Sequence, residues 1–269
     1  MNSKIVLITG GSSGIGKAIG NYLNQHGFIV YGTTRNLEKY ASFKDFELLE
    51  MDVRVPESVT KAIELLVQKE GRVDVLINNA GVGITGPLEE TPNAEILNAF
   101  DTNFIGPLNV IKAILPQMRQ QNNGLIINIT SIAGYMGLPY RGIYSATKGA
   151  LELITESLRM ETKRFGVECT CLAPGDFATN IAAGRFHAPI QENSPYKESY
   201  GNILKSIDKD VDKGGNPKVV AHKVLQIINA KNPKVHYTVG AFIQKFSIRL
   251  KKVLPDTWFE TLLMNHSKK

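Results

Sequence analysis

"ITGGSSGIGKAIG", residues 8–20, joins an apolar run, KIVLI (4–8), to a helical pattern that begins near residue 14. Gly10, Gly14 and Gly16 space the turn as G-x-x-x-G-x-G. Glycine permits left-handed backbone and a close approach of chain to ligand. The N–H groups that open a helix have no intrahelical partner. A strand, a glycine turn and a helix start can therefore cradle a pyrophosphate. The spacing departs from the G-x-G-x-x-G fingerprint, so a turn that merely packs strand on helix stays open at this point.

Outward from the turn, short β-rich runs alternate with longer helical patterns. Strands are predicted at 4–8, 28–34, 46–51, 73–78, 124–130, 167–173 and 235–239. Helices are predicted near 14–26, 57–70, 92–121, 144–165 and 217–230. Several strands are apolar on both faces, as in a parallel sheet covered on both sides. The alternation implies right-handed crossovers. The predicted fold is α/β: a doubly wound, Rossmann-type parallel sheet of about seven strands, with helices on both faces. No repeat, low-complexity tract or linker interrupts residues 1–269, which read as one domain. Residues 176–216 form a long mixed stretch expected to carry substrate loops, and residues 240–269 form an amphipathic helical extension.

Composition narrows the function classes. A hydrophobic fraction of 43% and a charged fraction of 21% are those of an ordinary globular chain. No run reaches the roughly 18 apolar residues of a membrane span, and "MNSKIVLITG" lacks the pattern of a signal peptide. The expected location is cytoplasmic. Cys169 and Cys171, two apart on a predicted strand, are poorly placed for a disulfide and read as inert core thiols. His26, His187, His222, His236 and His266 are scattered with no ligand pair at helical spacing, so metal-independent chemistry is expected. The net charge is +6, of which residues 240–269 carry +4. With the basic excess in the tail and no nucleic-acid motif in the body, nucleic acid is not an expected partner.

The second strand discriminates between nucleotides. An NAD site is expected to place an acid near its end, on the ribose 2′-hydroxyl. Here "VYGTTRN" has Thr34 and then Arg35, with no carboxylate. A guanidinium suits a phosphate dianion, so NADP(H) is favoured over NAD(H).

With these residues placed, the chain resembles the short-chain dehydrogenase/reductase family in its compact single-domain branch. The matches run in order: "TGGSSGIG" (9–16), Asp52-Val53, "NNAG" (78–81), Asn103, Ser131, Tyr144, Lys148 and "PGDFAT" (174–179). They cover about residues 4–180. The resemblance implies cofactor contacts from Gly10, Ser12, Ser13, Gly14, Ile15 and Gly16 of the turn. It also implies that Ser12 and Arg35 meet the 2′-phosphate and that Asp52, with Val53, contacts the adenine. Asn79, Ala80 and Gly81 are implied along its ribose. Pro174, Gly175 and Thr179 are implied at the nicotinamide carboxamide, and Tyr144 and Lys148 beside the nicotinamide ribose.

Carbonyl reduction needs a hydride and a proton at opposite ends of one C=O, and the proton donor must sit within hydrogen-bond reach. An unperturbed phenol, near 10, is a poor donor–acceptor at neutral pH. Lowering it by about three units takes roughly 4 kcal/mol of phenolate stabilisation, for which a cation one helical turn away is a source. "GIYSATKG" (142–149) supplies that pair, Tyr144 and Lys148. By resemblance Tyr144 is the general acid/base and Lys148 tunes it. Ser131 steadies the substrate oxygen, and Asn103 holds a water of the proton relay. Tyr135 and Tyr140 have no lysine four residues on, and are expected to line the pocket.

The loops expected near that pocket offer Ile84, Ile132, Met136, Leu138, Tyr140, Phe177, Ile181 and Phe186, with Arg141 and Arg185 as the cations. A lipophilic (steroid-, retinoid- or lipid-like) substrate is expected. In the tail, apolar residues recur at helical spacing among Lys245, Arg249, Lys251 and Lys252. Such a helix suits a pocket lid or a peripheral contact with an acidic membrane, and similar tails occur in relatives resembling steroid and retinol dehydrogenases. The resemblance also implies a homodimer or homotetramer paired through helices 92–121 and 144–165. Two alternatives remain: a 3-oxoacyl-carrier-protein reductase, and a non-catalytic NADP-binding sensor or scaffold.

Overall fold

The computed structural model describes residues 3–177, 184–212 and 215–266. In chain order the strands are β1 (Ile5–Ile8), β2 (Ile29–Thr34), β3 (Glu47–Glu50), β4 (Val75–Asn78), β5 (Ile84–Thr85), β6 (Gly124–Ile129), β7 (Val167–Pro174), β8 (Phe186–His187) and β9 (His236–Val239). The helices are α1 (Gly14–Gln25), α2 (Pro56–Glu70), α3 (Asn93–Phe100), α4 (Gly106–Gln120), α5 (Gly142–Thr162), α6 (Lys197–Asp212), α7 (Lys218–Ile228), α8 (Phe242–Val253) and α9 (Asp256–His266).

Seven strands form one sheet in the order β3-β2-β1-β4-β6-β7-β9, with every described pairing parallel. Successive strand residues alternate faces, and the core divides accordingly. Val6 and Ile8 join Ile15, Ile19 and Leu23 of α1 and Val220, Val224 and Ile227 of α7 on one side. Ile5 and Leu7 join Val59, Ile63 and Leu66 of α2 and Val110, Ile114 and Met118 of α4 on the other. Burying both faces is what makes these strands continuously apolar in sequence. The strand order reverses at β1 and β4, and ligands of such sheets bind outside the carboxyl ends at that reversal.

Three features depart from the expected pattern. The single helix predicted over 92–121 is α3, a π-helical turn at Asp101–Ile105, and α4. Gly106 N–H reaches back five residues to the carbonyl of Asp101. Pro107 then contributes no N–H, so donors run short over Thr102–Asn103. Second, β5 and β8 pair as a separate two-stranded sheet. Third, the stretch 176–216 contains α6 as well as loop.

Below the tail, Phe259 is buried against Ile132, Met136 and Ala173, with Ile248, Leu250, Leu254 and Leu263 packed alongside. The extension is thus bound to the body on one side. No helix among the described residues is long and apolar enough to cross a membrane.

Candidate active site

The glycine turn takes the conformation that its sequence requires. Gly10 has φ +64° and Gly14 φ +54°, values that side chains with a Cβ disfavour. Gly16 is needed for space, since a Cβ there would lie 2.3 Å from the Gly10 carbonyl oxygen and 2.5 Å from Asn79 Nδ2. Ser13, the residue before α1, makes no side-chain cap. The first turn of α1 therefore presents uncapped N–H groups to the groove.

Around this turn opens a groove of about 630 Å³. Of the residues expected at the cofactor, Gly10, Ser12, Ser13, Gly14, Ile15, Arg35, Asp52, Val53, Asn79, Ala80 and Gly81 line it, whereas Gly16 does not. Lys39, Arg54 and Thr102 line it as well, and sequence reasoning missed them. Two observations fit a dinucleotide phosphate: the uncapped start of α1 behind the left-handed glycines Gly10 and Gly14, and the cations Arg35, Lys39 and Arg54 along the wall. Arg54 grips Asp52 twice, Nε to Oδ1 at 3.0 Å and Nη2 to Oδ2 at 2.6 Å. That contact holds the Asp52 carboxyl below the usual carboxylate range, with Arg35 adding to it. Asn79 has a role the motif did not reveal: its Nδ2 donates to the carbonyls of Thr9 (3.0 Å) and Gly10 (3.1 Å), tying β4 to the turn.

The four residues expected to be catalytic gather at the sheet's carboxyl end. A small cavity of about 70 Å³ is lined by Ser131, Tyr144 and Lys148, with Arg141, Pro174, Gly175, Asp176, Phe177 and Arg185. It shares Ile15, Asn79, Gly81 and Val82 with the larger groove, so the two are continuous. Lys148 is 5% exposed and its Nζ donates to the Ile129 carbonyl at 3.0 Å. Burial pushes its ammonium down from the ordinary lysine value, while Tyr144 and Glu152 push it back up. Its Nζ lies 6.0 Å from the Tyr144 ring centroid, and Arg141 Cζ lies 5.7 Å from the same ring. Ser131 Oγ accepts from Ala133 N–H at 3.2 Å, leaving its own proton to donate.

Asn103 stands in the π-helical turn, fully buried. Its Oδ1 accepts from Val82 N–H (2.8 Å), and its Nδ2 donates to the Val82 carbonyl (2.9 Å) and to Thr147 Oγ1 (3.2 Å). The side chain therefore clamps the strand end that carries Gly81. Thr179 and Ile181 lie outside the described residues.

Several residues expected at the pocket have partners outside this cavity. Tyr135 donates its hydroxyl to Glu152 Oε2 at 3.0 Å, and burial pushes its phenol well above the ordinary value. Tyr140 shares a 2.7 Å hydrogen bond with Ser199 Oγ. Neither lines the cavity. Nor do Ile84, Ile132, Met136, Leu138 or Phe186, although Phe177 does. The short 3₁₀ turn Ile132–Tyr135 sends Ile132 and Met136 under the tail, and β5–β8 pairing takes up Ile84 and Phe186. The wall retains Arg141 and Arg185 and one acid among the described residues, Asp176. Asp176 accepts from Gln244 Nε2 of α8 at 2.7 Å. A Cβ on Gly175 would lie 2.0 Å from Gln244 Oε1, so the tail sits directly over the cavity's rim. One histidine, His236, meets Glu152 and Cys171, a grouping that sequence spacing did not reveal.

A phosphate cradle continuous with a Ser–Tyr–Lys cavity defines a nucleotide-dependent carbonyl/alcohol oxidoreductase. Residues 4–189 match the family model described as short chain dehydrogenase, and the chain belongs to that family. It is 39% identical over 264 residues to 3-ketodihydrosphingosine reductase of Bacteroides thetaiotaomicron, covering 98% of this chain and 97% of the relative. It is 32% identical to NADPH-dependent 3-dehydrocapnine reductase of Ornithobacterium rhinotracheale, over 99% of this chain and 98% of that one. Among solved structures, a short-chain dehydrogenase from Streptomyces avermitilis matches with a TM-score of 0.80 and 30% identity, covering 94% of this chain and 96% of that one.

Proposed function

We propose that this oxidoreductase uses NADPH to reduce the ketone of a long-chain, amine-bearing lipid of the 3-oxo sphingoid type. The observation that carries the reading is the continuity of the cationic groove with the Ser131–Tyr144–Lys148 cavity. Asp176 on the cavity wall supplies a carboxylate for an ammonium headgroup. Two relatives matching over nearly the whole chain are a 3-ketodihydrosphingosine reductase and an NADPH-dependent 3-dehydrocapnine reductase.

The chemistry follows from the side chains. Gly10, Ser12, Ser13, Gly14 and Arg35 along the groove would hold the phosphates of an NADPH, which would supply the hydride when bound. Pro174 and Gly175 on the cavity wall would meet its carboxamide, and Asp52, Val53, Asn79, Ala80 and Gly81 would flank its adenosine. Ser131 Oγ–H donates to the substrate oxygen and steadies the charge that develops there. Tyr144 delivers the proton to the same oxygen. Lys148, buried and held by Ile129, offsets the phenolate charge. Asn103 fixes Val82 and Gly81, and with them the far wall.

Arg35→Asp is expected to weaken NADPH binding about 10- to 100-fold, the loss of one or two charge-assisted contacts, and to improve NADH binding. Fluorescence titration with both cofactors reads this directly. Equal affinities in the unaltered protein would remove the NADP assignment.

The tail supports a contact with an anionic bilayer surface. Phe242 (78% exposed) and Phe246 stack at 5.8 Å beside Lys245 and Arg249, and Trp258 is 67% exposed. This combination of apolar insertion and positive charge suits acidic headgroups. Phe242→Ser combined with Trp258→Ser is expected to abolish flotation with phosphatidylglycerol vesicles and to leave cofactor binding unchanged. An unaltered protein that fails to float at low salt would contradict the contact. The exposed Leu97 of α3, and Leu153 and Met160 of α5, suit pairing with a second copy; light scattering checks for the dimer or tetramer.

A further inference from the structure

Tyr144, Lys148, Glu152 and Glu156 follow one another at four-residue spacing along one face of α5. The first two belong to the site above. Glu152 does not, yet it is only 5% exposed, and a carboxylate so buried requires partners. It has three. Thr130 Oγ1 donates to its Oε1, and the Tyr135 hydroxyl donates to its Oε2 at 3.0 Å. His236 Nδ1 lies 2.7 Å from Oε2, while Nε2 lies 3.0 Å from Glu156 Oε1.

The places of Thr130 and Tyr135 give the cluster its meaning. Thr130 immediately precedes Ser131 at the end of β6, with its N–H held by the Leu172 carbonyl at 2.9 Å. Tyr135 closes the 3₁₀ turn that Ser131 caps. One carboxylate thus holds both flanks of the segment that presents Ser131 to the cavity. His236, half-buried on the edge strand β9, holds that carboxylate from behind. Cys171 also lies close, but burial pushes its thiol far above the ordinary value, which disfavours the thiolate a metal would need.

We propose that Glu152 is a positioning residue for Ser131, acting by clamping Thr130 and Tyr135 from the same face of α5 that carries Tyr144 and Lys148, two turns beyond Tyr144. The inference rests on the role proposed above for Ser131. Because Ser131 Oγ must meet a substrate oxygen within hydrogen-bond reach, a loosened segment lowers turnover without touching the cofactor groove.

Thr130→Val with Tyr135→Phe removes both clamps while keeping side-chain shape and the Glu152 charge. In NADPH-oxidation assays with 3-ketodihydrosphingosine, or whichever ketone of a carbonyl panel turns over, kcat is expected to fall about tenfold or more. The cofactor dissociation constant should stay within about twofold. In a Ser131→Ala background the same pair should cost less than about twofold, the signature of two sites acting through one another. Glu156→Gln, at the outer edge of the cluster, should leave kcat within about twofold. Unchanged turnover in the pair, or an equal fold-loss in both backgrounds, overturns the inference. If Ser131→Ala itself is fully active, the fault lies with the proposed role of Ser131. Should the pair not fold, Thr130→Val alone is run through the same cycle and judged by the same two criteria.

Discussion

Tyr144→Phe is expected to lower kcat by about 10²- to 10⁴-fold, the usual contribution of a positioned general acid, while NADPH still binds. The substitution removes one oxygen and leaves the ring. The ring's contacts with Arg141 and Lys148, at 5.7 and 6.0 Å from its centroid, therefore survive. Lys148 keeps its bond to Ile129, so the cavity retains its shape and loses only the proton donor. The two tyrosines that precede Tyr144 in the same segment are engaged elsewhere. Tyr135 is committed to Glu152 and Tyr140 to Ser199. Stopped-flow oxidation of NADPH with a ketone substrate, beside a fluorescence titration of NADPH alone, separates chemistry from binding. Residual turnover near the unaltered rate would mean that the acid is elsewhere.

Gly16→Val is expected to abolish measurable cofactor binding, raising the dissociation constant by about 100-fold or more, equivalent to about 2.7 kcal/mol. Even a single Cβ would press on the Gly10 carbonyl at 2.3 Å and Asn79 Nδ2 at 2.5 Å, and overpacking of this kind costs about 1–3 kcal/mol. Both contacted groups belong to the cradle. Asn79 moved outward loses its bonds to the Thr9 and Gly10 carbonyls. The damage therefore falls on the pyrophosphate seat. Thermal unfolding with and without NADPH checks this, since a bound ligand stabilises the folded state by mass action. The unaltered protein should gain melting temperature with NADPH and Gly16→Val should not.

The sheet and the pairing of Tyr144 with Lys148 were legible because both are written locally. Strands buried on two faces are apolar runs, and Tyr144 and Lys148 are one helical turn apart. What stayed hidden depends on long-range juxtaposition. Nothing near Glu152 in sequence announces His236, which the edge pairing of β9 with β7 delivers. The π-helical turn depends on Gly106 and Pro107 interrupting a pattern that otherwise reads as one long helix. Ile132 and Met136 looked like pocket residues because they follow β6; the 3₁₀ turn instead hands them to Phe259 of the tail. Arg54 could have been suspected from its place two residues after Asp52, where its guanidinium folds back onto the carboxylate.

NADPH-dependent reduction of a long-chain ketone can be followed in a single assay. Purified protein is incubated with NADPH and a panel of carbonyl compounds: 3-ketodihydrosphingosine, steroid ketones, retinal, 3-oxoacyl thioesters and sugars. Cofactor oxidation and alcohol formation are followed together. The prediction is stoichiometric conversion of 3-ketodihydrosphingosine at a rate above the rest of the panel, lost in Tyr144→Phe. Preference for the 3-oxoacyl thioester would contradict the proposed substrate, and NADPH binding with no turnover of any carbonyl compound would contradict the claim as a whole.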